Sequence, residues 1–497
     1  MYSRSWSRLY TDGSVGRPSF VSEFGLWHEH QLAIAEQLEA ELDQLDFVRL
    51  VFCDPHGLAR SKTLTAAAFR TVLRNGMDFS PGPFLFDTGH AVAVDFLADP
   101  GVGVAEIAGA GDFVVVPDPL TFQLLPDREP RTAWVLGDEY LRDGRPHPLS
   151  TRNVLRTVCR SYAAANLTPV IGLEVEWYLT RALGGAPGHA GNGFGLQGEP
   201  PRVQPVNAGY QFNSDSYYDT VAGVAEPLAL QLLRLGLPLR SMEHESGPGQ
   251  VETTFNPMQA LDAADAMLLF RTLVKQNCAR LGYHASFMSL PRIDGFDPSG
   301  WHLHQSVMDA GTGGNLFADA GPDGISGQGL AYLDGLLDRA REYCLLSVPT
   351  VNGYRRLGPD FSLSPTRIGW SFEDRSVLVR VLGAGDSSAH LENRMGEPCA
   401  NPYLLMAAQL HAGLQGLLGA RPSSSPDEPA VLPQSLAEAV EVFRTGRAAE
   451  LLGRPLTSCL LKLKQSEVSR FEEWCAKEQP AEAGVTEWEQ REYFENY

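Results

Sequence analysis

Ile171-Gly172-Leu173-Glu174-Val175-Glu176-Trp177-Tyr178-Leu179 is a β-rich run that carries two charges. Nearly every residue in it favours an extended chain. Glu174 and Glu176 stand two apart, so both carboxylates leave one face of the strand. Carboxylates that close repel each other unless a cation sits between them. A divalent metal site explains the pair. So does an edge strand with a solvated face, and the motif alone leaves both readings open.

Working outward, His244-Glu245-Ser246-Gly247-Pro248-Gly249-Gln250-Val251-Glu252 places a Gly-Pro-Gly turn between two carboxylates. A chain reversal there brings Glu245 and Glu252 to one region; a plain hairpin with charged shoulders is the alternative. Trp301-His302-Leu303-His304-Gln305-Ser306 puts two histidines on one strand face. With carboxylates as the other candidate ligands, the donor set suits Mg²⁺ or Mn²⁺ better than zinc. A structural histidine pair is the blander account. Arg355, Arg356, Arg367, Arg375, Arg380 and Arg394 follow, with Arg380 inside the apolar run Val377–Leu382. A buried arginine needs an anionic partner, and its forked donors match phosphate and carboxylate. Internal salt bridges account for some of them. Metal-binding carboxylates with anion-binding arginines are the apparatus of phosphoryl transfer. No GxxxxGK[ST] loop and no kinase HRD or DFG motif is present.

Composition narrows the field. The 497 residues carry 40 Lys+Arg against 60 Asp+Glu, a net charge of −20, which argues against nucleic acid as a partner. With 43% apolar and 20% charged residues the chain reads as globular. No apolar run is long enough to span a membrane, and the first residues lack a signal-peptide core. The seven cysteines are scattered without a CxxC pair, so reduced thiols in a cytoplasmic enzyme are expected.

Residues 1–45 end in a helical pattern from Trp27 to Leu45. Phe47–Phe52, Phe113–Pro117 and Thr132–Leu136 read as strands of a sheet-rich domain over 46–145. Ser150 is a plausible N-cap opening a third region, 146–497, which alternates strands and helices to about residue 420. The Gly- and Pro-rich stretch Leu183–Gly209 reads as a surface insertion, not a phosphate loop, and Arg421–Gln434 as a loop. Leu460–Trp474 reads as helix, and the acidic last 20 residues as a helix or a frayed tail.

The motifs, in this order, resemble the glutamine synthetase family from about residue 46 to 420. They are Glu174-x-Glu176, His244-Glu245 through Gly247-Pro248-Gly249-Gln250 to Glu252, and Gly300-Trp301-His302-x-His304-Gln305-Ser306. Asn352-x-Tyr354-Arg355-Arg356-Leu357, Asp374-Arg375-Ser376 with Arg380, and Glu392-x-Arg394 before Ala400-Asn401-Pro402-Tyr403 complete the set. The resemblance implies an α+β chain: an N-terminal β-grasp domain and a catalytic α/β domain, an open antiparallel barrel backed by helices. It implies homo-oligomeric rings, often dodecamers, with active sites between subunits. It implies ATP and two or three Mg²⁺ or Mn²⁺ ions, which activate a carboxylate as an acyl phosphate that an amine then displaces.

Carried over by motif, Glu174, His302 and Glu392 resemble ligands of the metal at the ATP phosphates. Glu176, Glu245 and Glu252 resemble ligands of the metal near the acid substrate. Arg356 and Arg394 match arginines that hold the amino acid, and Arg375 and Arg380 match those facing the transferred phosphate. Asp297, Gly300, Trp301 and Tyr210 fall at the substrate positions, and Ser306, His304 and Phe255 at the nucleotide.

The departures bear on the amine. Six residues after the substrate arginine the family carries a catalytic Glu that helps bind ammonium; here Ser362 stands there. Neither Asp78 nor Asp87 fits the family's N-terminal aspartate pattern. The usual Asn-Gly reads Asp297-Pro298, and proline removes a donor. His390 replaces a common arginine. With the activation half intact and the ammonium half rebuilt, the expected reaction joins glutamate to an organic amine. Trp301, Phe361 and Trp370 suggest an arylamine such as aniline. Ordinary glutamine synthesis, a non-catalytic assembly protein and a guanidino kinase are the alternatives.

Overall fold

The computed structural model describes residues 18–97, 99–184, 195–319, 324–358, 363–383, 385–419, 430–480 and 484–497. The chain divides into two compact units. One comprises Met1–Phe52, Ser61–Phe79 and Phe113–His147; the other comprises Cys53–Arg60, Ser80–Asp112 and Pro148–Tyr497.

In the smaller unit the strands are β1 (Phe47–Cys53), β2 (Ala59–Thr65), β3 (Met77–Phe79), β4 (Phe113–Pro117), β5 (Gln123–Leu124) and β6 (Thr132–Tyr140). Their order is β2-β1-β6-β4-β3, with β5 also on β6. β1 runs parallel to β6 and pairs Leu50 with Val135, both fully buried. The helix Ala66–Asn75, capped by Thr65, presses Phe69 and Leu73 into this core.

The larger unit is built around β7 (Leu167–Ala182), which contains the run Ile171–Leu179. Its sheet adds β8 (Val203–Pro205), β9 (Leu239–His244), β10 (Gln250–Phe255), β11 (Met258–Gln259), β12 (Tyr283–Ser286) and β13 (Trp301–Asp309). It is completed by β14 (Trp370–Phe372), β15 (Val379–Leu382) and β16 (His390–Asn393). The order is β14-β15-β16-β13-β7-β10-β9, with β8, β11 and β12 also pairing with β7. Among the described residues, the strand pairings of this sheet are antiparallel except β14 with β15.

Strand parity decides which side chains face which way. In β7, Ile171, Leu173, Val175, Trp177 and Leu179 are all buried, while Glu174 and Glu176 leave the other face. The buried face meets helices Thr151–Ala164 and Ala260–Arg280; Trp177 Nε1 donates to Thr253, and its ring lies 6.2 Å from that of Phe287. A second helical layer joins Gly327–Ser347 to Pro402–Leu417, and Tyr162 donates to the carbonyl of Leu410. Ser150 does cap its helix, accepting from the amide of Asn153. The acidic C-terminal stretch is not frayed. It forms the helix Glu487–Tyr493, and Glu489, Glu492, Tyr493, Phe494 and Tyr497 are buried.

Candidate active site

The charged face of the large sheet is assembled by register. Glu174 lies opposite His302 of β13 on one side and Thr254 of β10 on the other. Glu176 faces Glu252, and Glu392 of β16 faces both His304 and Arg380. The Gly-Pro-Gly reversal brings Glu245 and Glu252 to one cavity. Gly249 makes the turn at φ +76°, and a Cβ there would sit 2.5 Å from the carbonyl oxygen of Leu179, so the position has no room for a side chain.

Two cavities open on this face. The first, ≈450 Å³, is lined by Glu176, Glu245, Asp297, Arg356 and Arg394, with Phe212 and Leu363 as apolar wall. The second, ≈710 Å³, is lined by Phe255, His304, Ser306 and His390. Glu174, Glu252, Arg375 and Arg380 belong to both.

The contacts are dense. His302 Nδ1 lies 2.5 Å from Glu174 and 3.4 Å from Glu392, and His304 Nε2 lies 3.0 Å from Glu174. Arg394 pairs with Glu392, and Arg380 Nη1 reaches Glu392 at 3.2 Å. Gly300 N and Gln250 Nε2 donate to Glu176 at 3.0 and 3.2 Å. Arg356 donates to the carbonyls of Arg394, Met395 and Gly396 and lies against Gly300, where a Cβ would come within 2.6 Å of its Nη2. The Nε atoms of Arg380 and Arg394 are buried and have no hydrogen-bond partner among the described residues.

Ionisation follows from crowding. Burial pushes the Glu252 carboxyl up to about 11, reinforced by Glu174 and Glu176. Burial and then Glu176 push Glu245 up to about 8. Burial also acts upward on Glu174 and Glu392, but His302 and its neighbours outweigh it and hold both low. Burial pulls Arg356 down to about 10. The carboxylates facing the first cavity thus lack enough positive charge of their own. Glu174, His304 and Glu392 offer donor atoms within 4.8 Å of one another, and so do Glu174, Glu252 and His302. Such an oxygen-rich set with imidazole nitrogens fits hard divalent cations.

Residues 148–493 match the family described as Glutamine synthetase, catalytic domain. The chain belongs to the glutamine synthetase family. It is therefore an ATP-dependent ligase that acts on small molecules and uses a nucleotide and divalent metal ions. Among relatives of this family, it is 38% identical to a gamma-glutamylanilide synthase of Acinetobacter sp., covering 96% of this chain and 98% of that one. It is 30% identical to the gamma-glutamylethanolamide synthetase GlnA4 of Streptomyces coelicolor, covering 91% and 93%. A solved GmaS/ADP complex superposes with a TM-score of 0.70 at 26% identity, covering 92% of this chain and 98% of that one.

Not every sequence-derived position joins the glutamine synthetase site in the same way. Trp301 is fully buried on the parity opposite to His302 and lines neither cavity; Trp370, on β14, lines neither as well. Tyr210 is 74% exposed, with its ring edge-on to Tyr217, and its neighbour Phe212 is the one that lines the first cavity. Asp360, Phe361 and Ser362 lie outside the described residues. Glu243 went unread in the sequence, yet it lines the second cavity opposite Glu252. Its spacing of two from Glu245 was the available signal.

Proposed function

We propose that this ligase phosphorylates the γ-carboxylate of glutamate and condenses it with an organic amine, an arylamine such as aniline, to a γ-glutamyl amide. The observation that carries the amine side is the apolar wall of Phe212 and Leu363 on the first cavity. An arylamine is neutral at pH 7 and gains from apolar surface, not from a carboxylate. The 38% identity to a gamma-glutamylanilide synthase over nearly the whole chain supports the reading.

In this reading Arg356 and Arg394 hold the acid, and its γ-carboxylate oxygen attacks the terminal phosphorus of ATP in line. Arg375 and Arg380, facing both cavities, offset charge on the transferring phosphoryl group while ADP leaves. The amine nitrogen then adds to the acyl carbon, phosphate departs, and the nitrogen loses its proton. Asp297 and Gly300 shape the acid end; Ser306, His304 and Phe255 line the nucleotide end. Two or three Mg²⁺ or Mn²⁺ ions, held by Glu174, His302 and Glu392 and by Glu176, Glu245 and Glu252, would supply Lewis-acid charge neutralisation. The smaller unit is the β-grasp domain of a homo-oligomeric ring, a dodecamer, whose sites lie between subunits. The larger sheet is an open barrel backed by helices.

The test is phosphate release with ATP, Mg²⁺ and glutamate against ammonia, ethylamine, ethanolamine, putrescine and aniline, with the product identified by mass. Aniline is expected to give the fastest release. Turnover with ammonia alone would overturn the amine assignment. Ser362→Glu, which restores a charge at the family's ammonium position, is expected to raise the ammonia-to-aniline rate ratio.

A further inference from the structure

We infer that the C-terminal segment Thr486–Tyr497 sets the position of the substrate arginine, with Glu489 as the positioning residue. The inference rests on the reading of Arg356 as the group that holds the acid. Arg356 closes the four-residue helix Gly353–Arg356. One turn of helix has almost no hydrogen-bond ladder of its own, so its pitch must be fixed from outside. The fixing group is Glu489, fully buried on the C-terminal helix.

Its two oxygens accept Arg355 Nε and Nη2 at 3.1 and 3.0 Å, a forked pair that fixes angle as well as distance. Oε1 also accepts Asn352 Nδ2 at 3.1 Å, and Oε2 accepts the amide and hydroxyl of Thr486 at 2.8 Å each. One turn further on, the hydroxyl of Tyr493 accepts the amide of Val351 at 3.1 Å. The turn that carries Arg356 is therefore gripped at Val351, Asn352 and Arg355 by a segment more than 130 residues later in the chain.

The same segment reaches the opposite wall. Gln490 Oε1 accepts the amide of Arg292 at 2.7 Å, and Asn352 exchanges hydrogen bonds with both the amide and the carbonyl of Leu290. Leu290 and Arg292 begin the loop that supplies Asp297 and Gly300, the residue that abuts Arg356. Glu489 lines neither of the two cavities and is not a catalytic residue. It orients the backbone from which Arg356 projects, and a displacement of about 1 Å in a substrate clamp costs on the order of a hundredfold in rate.

The experiment compares Glu489→Gln, Arg355→Lys and Arg356→Met with the parent full-length enzyme. Arg355 is partly exposed and Arg355→Lys keeps the charge, so it carries the test if Glu489→Gln fails to fold. Glutamate KM, ATP KM and kcat are measured below the Tm of each variant. Glu489→Gln and Arg355→Lys are expected to raise glutamate KM about tenfold or more with ATP KM unchanged, and the double variant to be no worse than the worse single one. A lowered Tm with both KM values unchanged, or a parallel rise in the two, would overturn the inference. If Arg356→Met leaves glutamate KM unchanged, the reading of Arg356 falls first. If Arg356→Met raises it and the other two do not, only the role of Glu489 falls.

Discussion

Glu252 is the residue at which the architecture is least self-sufficient. It faces Glu176 across the β7–β10 pair and Glu243 across the hairpin, and burial drives its carboxyl to about 11. A divalent cation relieves that crowding, so Mg²⁺ or Mn²⁺ alone, without nucleotide, is expected to raise Tm. At a hundred times its Kd the gain is about 2.7 kcal/mol. Glu252→Gln is expected to abolish most of that shift while raising the metal-free Tm, a pattern calorimetry reads directly. Gly300 supplies a second prediction. Gly300→Ala drives a methyl group into the Arg356 guanidinium, and is expected to raise glutamate KM with little loss of Tm. Most ligand candidates were legible in the sequence because strand parity is local: residues two apart share a face wherever the strand runs. The same rule would have excluded Trp301, one residue from His302 and so on the opposite face. Phe212 had no such signal, since it precedes the helix Asp215–Arg234 in a turn without periodicity.

At the scale of elements, β7 was readable because it carries its function and its core on alternating positions. Truncating Trp177 to alanine is expected to cost about 3–5 kcal/mol through the cavity left in the core. The C-terminal helix was not readable. Glu487, Glu489 and Glu492 look like a solvated acidic stretch, and only the fold reveals that Arg355 and Arg470 neutralise two of them. The docked tail also has a pH signature. His284 Nε2 lies 2.9 Å from the carbonyl of Phe494, and burial, then Lys275, push the ring down to about 3. The folded ring stays neutral where the unfolded one, near 6.5, takes up a proton. Stability is thus fully present above about 6.5 and is lost as pH falls from there toward 3, by about 2 kcal/mol at pH 5. Urea midpoints at pH 7 and pH 5 are expected to differ by correspondingly less in His284→Gln than in the parent.

For the whole molecule, the −20 charge that first served to set nucleic acid aside now has local structure: a share of the 60 acidic residues converges on one sheet face. The order of the motifs foretold the family, because order survives where spacing drifts. The two-unit division was less legible, since Cys53–Arg60 and Ser80–Asp112 leave the smaller unit and join the larger one, a pattern no local period reveals. The proposed ring makes a plain prediction: native mass spectrometry is expected to find a species of twelve times the 54.2 kDa chain mass. A monomer at micromolar concentration would refute it. There remains the shared wall. Glu174, Glu252, Arg375 and Arg380 each look into both cavities, so no ligand can fill one without changing the field felt in the other. Thermodynamic linkage makes such a partition reciprocal. By whatever factor nucleotide alters the affinity for acid, acid must alter the affinity for nucleotide by the same factor, and the four side chains act as the common currency of a two-ligand equilibrium.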